Sequence, residues 1–166
     1  LPEPDWLDAT LLGMDKYRAD ACGGFVAPVW ETPPPPWLTE RFYGFLAIRA
    51  DRADDYPITP SGPPPPFGAN MAMKRSVFDR VGLFDPRYFL YMEEVDHCRA
   101  VRAAGWTVRY LPDTRVIHLG GESAKSDGAL STSGRQLSRL LVESELLYYR
   151  KHGGAAPATG TVTAPP

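Results

Sequence analysis

Apolar positions along the chain recur with two periods, one helical and one extended. Leu7, Leu11 and Met14 share a helical face behind Pro4-Asp5-Trp6, where a proline and an acid suit a helix start. Cys22 to Val29 is small and apolar and predicts a buried strand. After Trp37, Leu38, Phe42 and Phe45 form a second helical stripe. Phe67 to Met73 predicts a strand. Ser76 with Asp79 matches a capping box for a short helix carrying Val77, Phe78 and Val81 and closed by Gly82. Glu93 to Ala104 predicts a longer helix, with acids at its front, Val95, Cys98 and Val101 on one stripe, and Gly105 at its end. Trp106, Val108 and Tyr110 alternate with Thr107 and Arg109 as in a half-buried strand, Pro112-Asp113 turns the chain, and Val116-Ile117-His118 predicts a further short strand. Ser133 with Gln136 is another capping-box match, opening a last helix with Leu137, Leu140, Leu141 and Tyr148 on one side. Cations at Arg150, Lys151 and His152 suit its C-terminal dipole.

Helices and strands mixed in this order imply an α/β or α+β layer structure. One domain over 1–153 and a disordered Ala/Pro/Thr-rich tail over 154–166 are expected. The 166 residues suffice for one moderate core. Proline changes the picture most. Two runs, Pro33 to Pro36 and Pro63 to Pro66, exclude central strand and helix interior and read as stiff loops. A net charge of -2 gives no basic surplus for nucleic acid, and no apolar run approaches the ~18 residues of a membrane span. No signal-peptide pattern opens the chain at Leu1. Cys22 and Cys98 form no CxxC and no disulfide framework, which fits a reducing, cytosolic setting.

Three places could carry chemistry. Glu93, Glu94 and Asp96 crowd the front of the longer helix. Helix-dipole stabilisation accounts for such acids at about 0.3–1 kcal/mol each. A carboxylate held there could equally serve as a general base toward a bound hydroxyl, and Tyr88, Phe89, Tyr91 and His97 nearby would suit a sugar cleft. His118 at a strand end reads either as a hydrogen-bonded histidine or as a metal ligand. Gly68 and Asn70 permit close backbone approach and two-way hydrogen bonding, or a purely local asparagine bond. No GxGxxG, no GxxxxGK[ST] and no Asp-X-Asp occurs.

Taken in order, Phe67-Gly68-Ala69-Asn70-Met71-Ala72-Met73-Lys74-Arg75, Val81-Gly82-Leu83-Phe84-Asp85, Phe89-Leu90-Tyr91-Met92-Glu93-Glu94-Val95-Asp96, Ala104-Gly105-Trp106, Tyr110-Leu111-Pro112-Asp113, Val116 to Ser123 and Tyr148 to Gly153 resemble successive motifs of family-2 glycosyltransferases, the last of them rhamnosyltransferase-like. The resemblance is strong over roughly 67–153. Leu1 to Leu7 also resembles the segment that follows the family's metal-binding DXD motif. The implied fold is a partial GT-A-type αβα sandwich with a mixed sheet, lacking the N-terminal nucleotide-binding βαβ units. An exposed sheet edge and an apolar patch are then expected where that part would pack.

The resemblance implies an inverting transfer of a sugar, rhamnose by the C-terminal motif, from a nucleotide sugar to a glycan or lipid-linked acceptor in polysaccharide or cell-envelope synthesis. Glu94 would be the base, where the motif more often has aspartate. Glu93 and Asp96 would orient it or bind the acceptor. Asn70, Gly68, Tyr91 and Trp37 would line the sugar site, and 123–134 would form a lid. His118 would join the ligands of a divalent Mg or Mn ion whose set is incomplete here. The implied location is cytoplasmic, peripheral to the inner face of the membrane, and the chain alone is expected to be inactive. Arg99 stands one place earlier than the family's arginine. A non-catalytic carbohydrate-binding remnant and a proline-rich interaction protein are the competing readings. The full acidic motif, and proline runs without flanking basic residues, favour the enzyme.

Overall fold

A computed structural model describes residues 1–30, 32–50, 54–118 and 134–153, apart from the side chains of 45 and 134–138. The elements are helix α1 (Trp6–Lys16), strand β1 (Ala21–Pro28), a 3-10 helix Glu40–Leu46, strand β2 (Tyr56–Pro57), a 3-10 turn Gly68–Asn70, strand β3 (Met71–Met73), helices α2 (Arg75–Val81) and α3 (Glu93–Ala103), strand β4 (Val108–His118) and helix α4 (Gly134–Lys151). The sheet order is β2-β4-β1-β3. β1 runs parallel to β4 and antiparallel to β3, and β2 pairs antiparallel with β4.

Strand alternation sorts the core onto two faces. Ala21, Val108 and Tyr110 pack with Val77, Cys98 and Val101 of α2 and α3, supported by Met71 and Met73. Cys22, Leu111 and Ala72 face the other way, onto Met14 and Ala19 beside α1. Helices thus cover both faces of a mixed sheet, a partial GT-A-type αβα sandwich. The two cysteines are free and buried in these separate clusters. Burial pushes the Cys22 thiol up to about 11 and the Cys98 thiol to about 12, so neither is a ready nucleophile.

Several expectations change. Leu7 and Leu11 are each 58% exposed; α1 buries Thr10 and Met14 instead. With Trp6, Ala72 and Met73 the two leucines line an open groove beside the edge strand β3, whose lining also includes Asp15, Arg18, Asp20 and Lys74. Ser76 and Asp79 form no capping box: α2 starts at Arg75 behind Lys74 and has no side-chain cap. The helix after Trp37 is a 3-10 helix, and the strand predicted from Phe67 keeps only its last three residues.

The turn expected at Pro112-Asp113 is a bulge inside one long strand. Gly24 pairs with Leu111 and Phe25 with Arg115, so three residues of β4 are looped out. The bulge requires Gly24, because a Cβ there would lie 2.0 Å from Thr114 Oγ1 and 2.2 Å from the Leu111 carbonyl. The second capping box, most of the 123–134 lid and the 154–166 tail lie outside the described residues.

Candidate functional site

The acidic cluster is presented by an unusual backbone. Tyr91 (φ 68°) and Met92 (φ 69°) are consecutive non-glycine residues in the left-handed region, immediately before α3. Each such residue costs on the order of 1 kcal/mol or more, and strain of this kind concentrates at functional sites. It turns the chain sharply, so that Glu93 and Glu94 open the helix at the turn Gly68–Asn70.

Glu94 is the perturbed member of the cluster. Burial, then the neighbouring Glu93 carboxylate, pushes its carboxyl up to about 7. The backbone N-H groups of Glu94 itself, Gly68 and Val95 point at it and offset part of that rise. Glu94 Oε2 is buried with no hydrogen-bond partner among the described residues, and so is Glu93 Oε2. A carboxyl half-ionised near neutral pH, with one oxygen free to accept, is suited to taking a proton. Burial also keeps the Tyr91 phenol in its neutral, donating form, with its pKa raised first by desolvation and then by Glu93.

Asp96 behaves oppositely, although it stands only two residues further on. It is 4% exposed and accepts Lys151 Nζ at 2.7 Å, Tyr88 Oη at 3.2 Å and a 2.7 Å contact from His152 Nε2. Burial alone would raise its pKa; the bonds from Lys151 and His152 outweigh that and hold it below the usual carboxylate range. Lys151 also reaches Asp85 at 2.8 Å, and Ser144 Oγ donates to the Leu90 carbonyl at 2.7 Å. The end of α4 is therefore fastened across the acidic loop. Lys151 and His152, two of the three residues anticipated as dipole partners, form this clamp. Their pairing with an acid 55 and 56 residues away had no local signal.

The aromatic neighbours divide. Tyr88 is 6% exposed and spent on Asp96. His97 is 3% exposed and stacked between Phe78 and Phe84, so neither lines an open cleft. Phe89 is exposed. Trp37 is 67% exposed and meets Phe42 edge-on at a ring separation of 6.3 Å. Gly68 stands beside Glu94. Asn70 is 2% exposed: its Nδ2 donates to the carbonyls of Phe25 (2.9 Å) and Thr114 (2.7 Å), while Trp6 Nε1 donates to its Oδ1 at 2.9 Å. These are carbonyls flanking the β1–β4 bulge, so Asn70 pins the sheet, α1 and the turn at Gly68 together.

His118 ends β4 opposite Pro28, and its buried Nδ1 has no partner among the described residues. That orphaned nitrogen could bind a cation. Among the described residues, however, no three His, Cys, Asp or Glu side chains gather to hold one. The residues in hand do not complete a metal site. A residue with no motif around it also proves notable. Arg49 is 6% exposed, hydrogen-bonded through Nη1 to Tyr56 Oη (3.3 Å) and the Pro64 carbonyl (2.9 Å), and flanked by the rings of Phe67 and Tyr110.

Comparison with known proteins gives a consistent relationship. The chain is 36% identical over 106 residues to the N-acetylglucosaminyl-diphospho-decaprenol L-rhamnosyltransferase of Mycobacterium tuberculosis, in two strains. That stretch is 63% of this chain and 30% of the relative, so the match spans under a third of the relative's length. It is also 36% identical over 59 residues to the rhamnosyltransferase WbbL of Escherichia coli, 36% of this chain and 22% of that protein. No family profile matches, and no solved structure matches.

Proposed function

We propose that this rhamnosyltransferase-like glycosyltransferase chain supplies the acceptor side of an inverting sugar transfer, with Glu94 as the general base. The observation that carries the reading is the Glu94 carboxyl: raised to about 7, anchored by backbone N-H groups and left with an unpartnered Oε2. In the reaction, an acceptor hydroxyl gives its proton to Glu94 Oε2. The freed oxygen attacks the anomeric carbon of a nucleotide sugar from the face opposite the diphosphate. The C–O bond to the diphosphate breaks, and the nucleotide leaves with that electron pair. Proton transfer to a positioned carboxylate accounts for about 10²–10⁴ of the rate.

Glu93 adjoins the base and raises its proton affinity. Asp96 acts one step back, fixing the loop through the clamp from α4. Gly68 positions the base and Asn70 holds Gly68 in place. Tyr91 and Trp37 offer aromatic surface to a sugar ring. A divalent Mg or Mn ion on the donor diphosphate would supply charge neutralisation, with His118 as a candidate ligand. Because the described residues do not complete that site, no step here depends on it.

The M. tuberculosis relatives are named for an N-acetylglucosaminyl-diphospho-lipid. An acceptor of that type and rhamnose as the transferred sugar are the substrates proposed here, with dTDP as the donor nucleotide. No helix among the described residues is long and apolar enough to cross a membrane, and the proposed place of work is the cytoplasmic face of the membrane that carries the acceptor.

Calorimetric titration tests the reading. The chain should bind a soluble N-acetylglucosaminyl-diphospho-prenol analogue and give no heat with dTDP and Mn²⁺. Tight metal-dependent dTDP binding would overturn the assignment to the acceptor side, and so would absence of acceptor binding.

A further inference from the structure

Arg49 carries the inference. Its backbone is fixed by a two-way bridge to Val26, with both N···O distances at 3.0 Å, and its side chain is almost wholly buried. A buried guanidinium normally faces a carboxylate, because an uncompensated charge away from water is costly. Among the described residues the only oxygens it touches are the Tyr56 hydroxyl and the Pro64 carbonyl. The faces of Phe67 and Tyr110, 5.1 and 5.7 Å from the guanidinium carbon, supply a cation–π environment but no counter-charge. Arg49 makes no ion pair with a carboxylate among the described residues.

The same guanidinium lines a cavity of about 190 Å³ with Glu40, Tyr43, Gly44, Ile48, Ala50, Pro64 and Phe67. An apolar cavity of ~150 Å³ accommodates benzene, so this one has room for a phosphate group. Phe67 leads directly into Gly68, whose N-H points at Glu94. A residue of the cavity lining is therefore the chain neighbour of one that touches the candidate base. Glu40 is the acidic group on its lining; it is exposed and forms no ion pair with Arg49.

We infer that this cavity is an oxyanion subsite in which Arg49 binds a phosphate of a diphosphate-bearing substrate, a reading that rests on the proposed acceptor-side role. The Nη1 bonds to Tyr56 and Pro64 hold the planar fork in one orientation. The cavity-facing edge then meets phosphate oxygens without ordering a free side chain. The diphosphate could belong to a prenyl-linked acceptor or to a nucleotide, and the two are separable by experiment.

The test uses the whole chain without metal, titrated with inorganic pyrophosphate, farnesyl diphosphate and dTDP. Ala50 is exposed on the cavity lining, so Ala50→Glu places a carboxylate near the guanidinium without disturbing the core. Ala50→Gln controls for size. Pyrophosphate should bind the wild type and Ala50→Gln, and bind Ala50→Glu at least about tenfold more weakly, with all three melting alike. Tighter farnesyl diphosphate than dTDP assigns the acceptor as the source of the anion; the reverse order assigns the nucleotide. No pyrophosphate binding by the wild type, or equal binding by both Ala50 variants, overturns the subsite. If pyrophosphate binding is sensitive to Ala50→Glu while the glycolipid analogue fails to bind, the anion site stands and the acceptor reading falls. If the glycolipid binds and pyrophosphate binds equally to both variants, the acceptor reading stands and the subsite falls.

Discussion

Replacing Glu94 by glutamine should remove catalysis and stabilise the fold above neutral pH. The carboxyl rises from an ordinary 4.5 to about 7 on folding. A group raised in this way contributes stability that is full below its unfolded pKa and is lost as pH climbs through its folded value. Each pH unit in that window is worth about 1.4 kcal/mol, so the full loss is about 3.5 kcal/mol; partial exposure of the side chain trims it to about 2–3 kcal/mol. Glutamine escapes the loss. Its Oε1 can accept the backbone N-H groups that now point at the carboxylate, and its Nε2 takes the place of the unpartnered Oε2.

Urea unfolding at pH 5, 6, 7 and 8 reads this directly. The two proteins should be nearly equal at pH 5. By pH 8, Glu94→Gln should be ahead by about 2–3 kcal/mol, or about 5–10 °C in Tm. Transfer activity of the complete enzyme should fall at least about a hundredfold. A stability difference that stays constant from pH 5 to 8 would refute the burial argument and with it the case for Glu94 as a base poised near neutrality.

Three further outcomes follow from the geometry. Lys151→Met should cost about 1–3 kcal/mol near pH 6, since it removes charge-assisted bonds to Asp96 and Asp85. Because the Asp96 pKa is depressed, that cost should shrink as acid titrates the carboxylate below about pH 4; acid and neutral urea melts check it, and a pH-independent cost would speak against the clamp. Gly24→Ala should destabilise by about 1–3 kcal/mol or more, because its Cβ would meet backbone oxygen at 2.2 Å in the bulge; an unchanged melting temperature would contradict the bulge geometry. At the left-handed Met92, asparagine should be tolerated and valine should lose about 1–2 kcal/mol; thermal melts showing equal stability for the two would mean that the strain is absent.

What the sequence displayed, and what it hid, divides along physical lines. Period and punctuation located α1, α3, β1 and the end of β4, because local patterns encode them. Periodicity shows which residues share a face and not what covers that face: Leu7, Leu11 and Met14 share one, yet the two leucines are exposed and Met14 is buried. Pro112-Asp113 carries the chemistry of a turn and is accommodated as a bulge, because Asn70 and Gly24 elsewhere in the chain absorb it. Arg49 has no motif. Its significance lies in the described residues that surround it, and only a folded chain defines those.

The acidic motif makes the sharper case. Sequence chemistry offered two accounts of Glu93, Glu94 and Asp96: stabilisation by the helix dipole, or a proton-accepting site. A dipole acting alone would lower the pKa of every carboxyl in the first turn. Glu94 moves the other way, because desolvation and its neighbour's charge outweigh the N-H groups of the helix end. Asp96 does move down, because the hydrogen bonds from Lys151 and His152 at the end of the chain's last helix outweigh the effect of its burial. The dipole therefore explains neither perturbed acid. Two carboxyls two residues apart are driven in opposite directions, one raised toward neutrality and one clamped in its charged form. That separation is how one loop can hold a base and the scaffold that aims it.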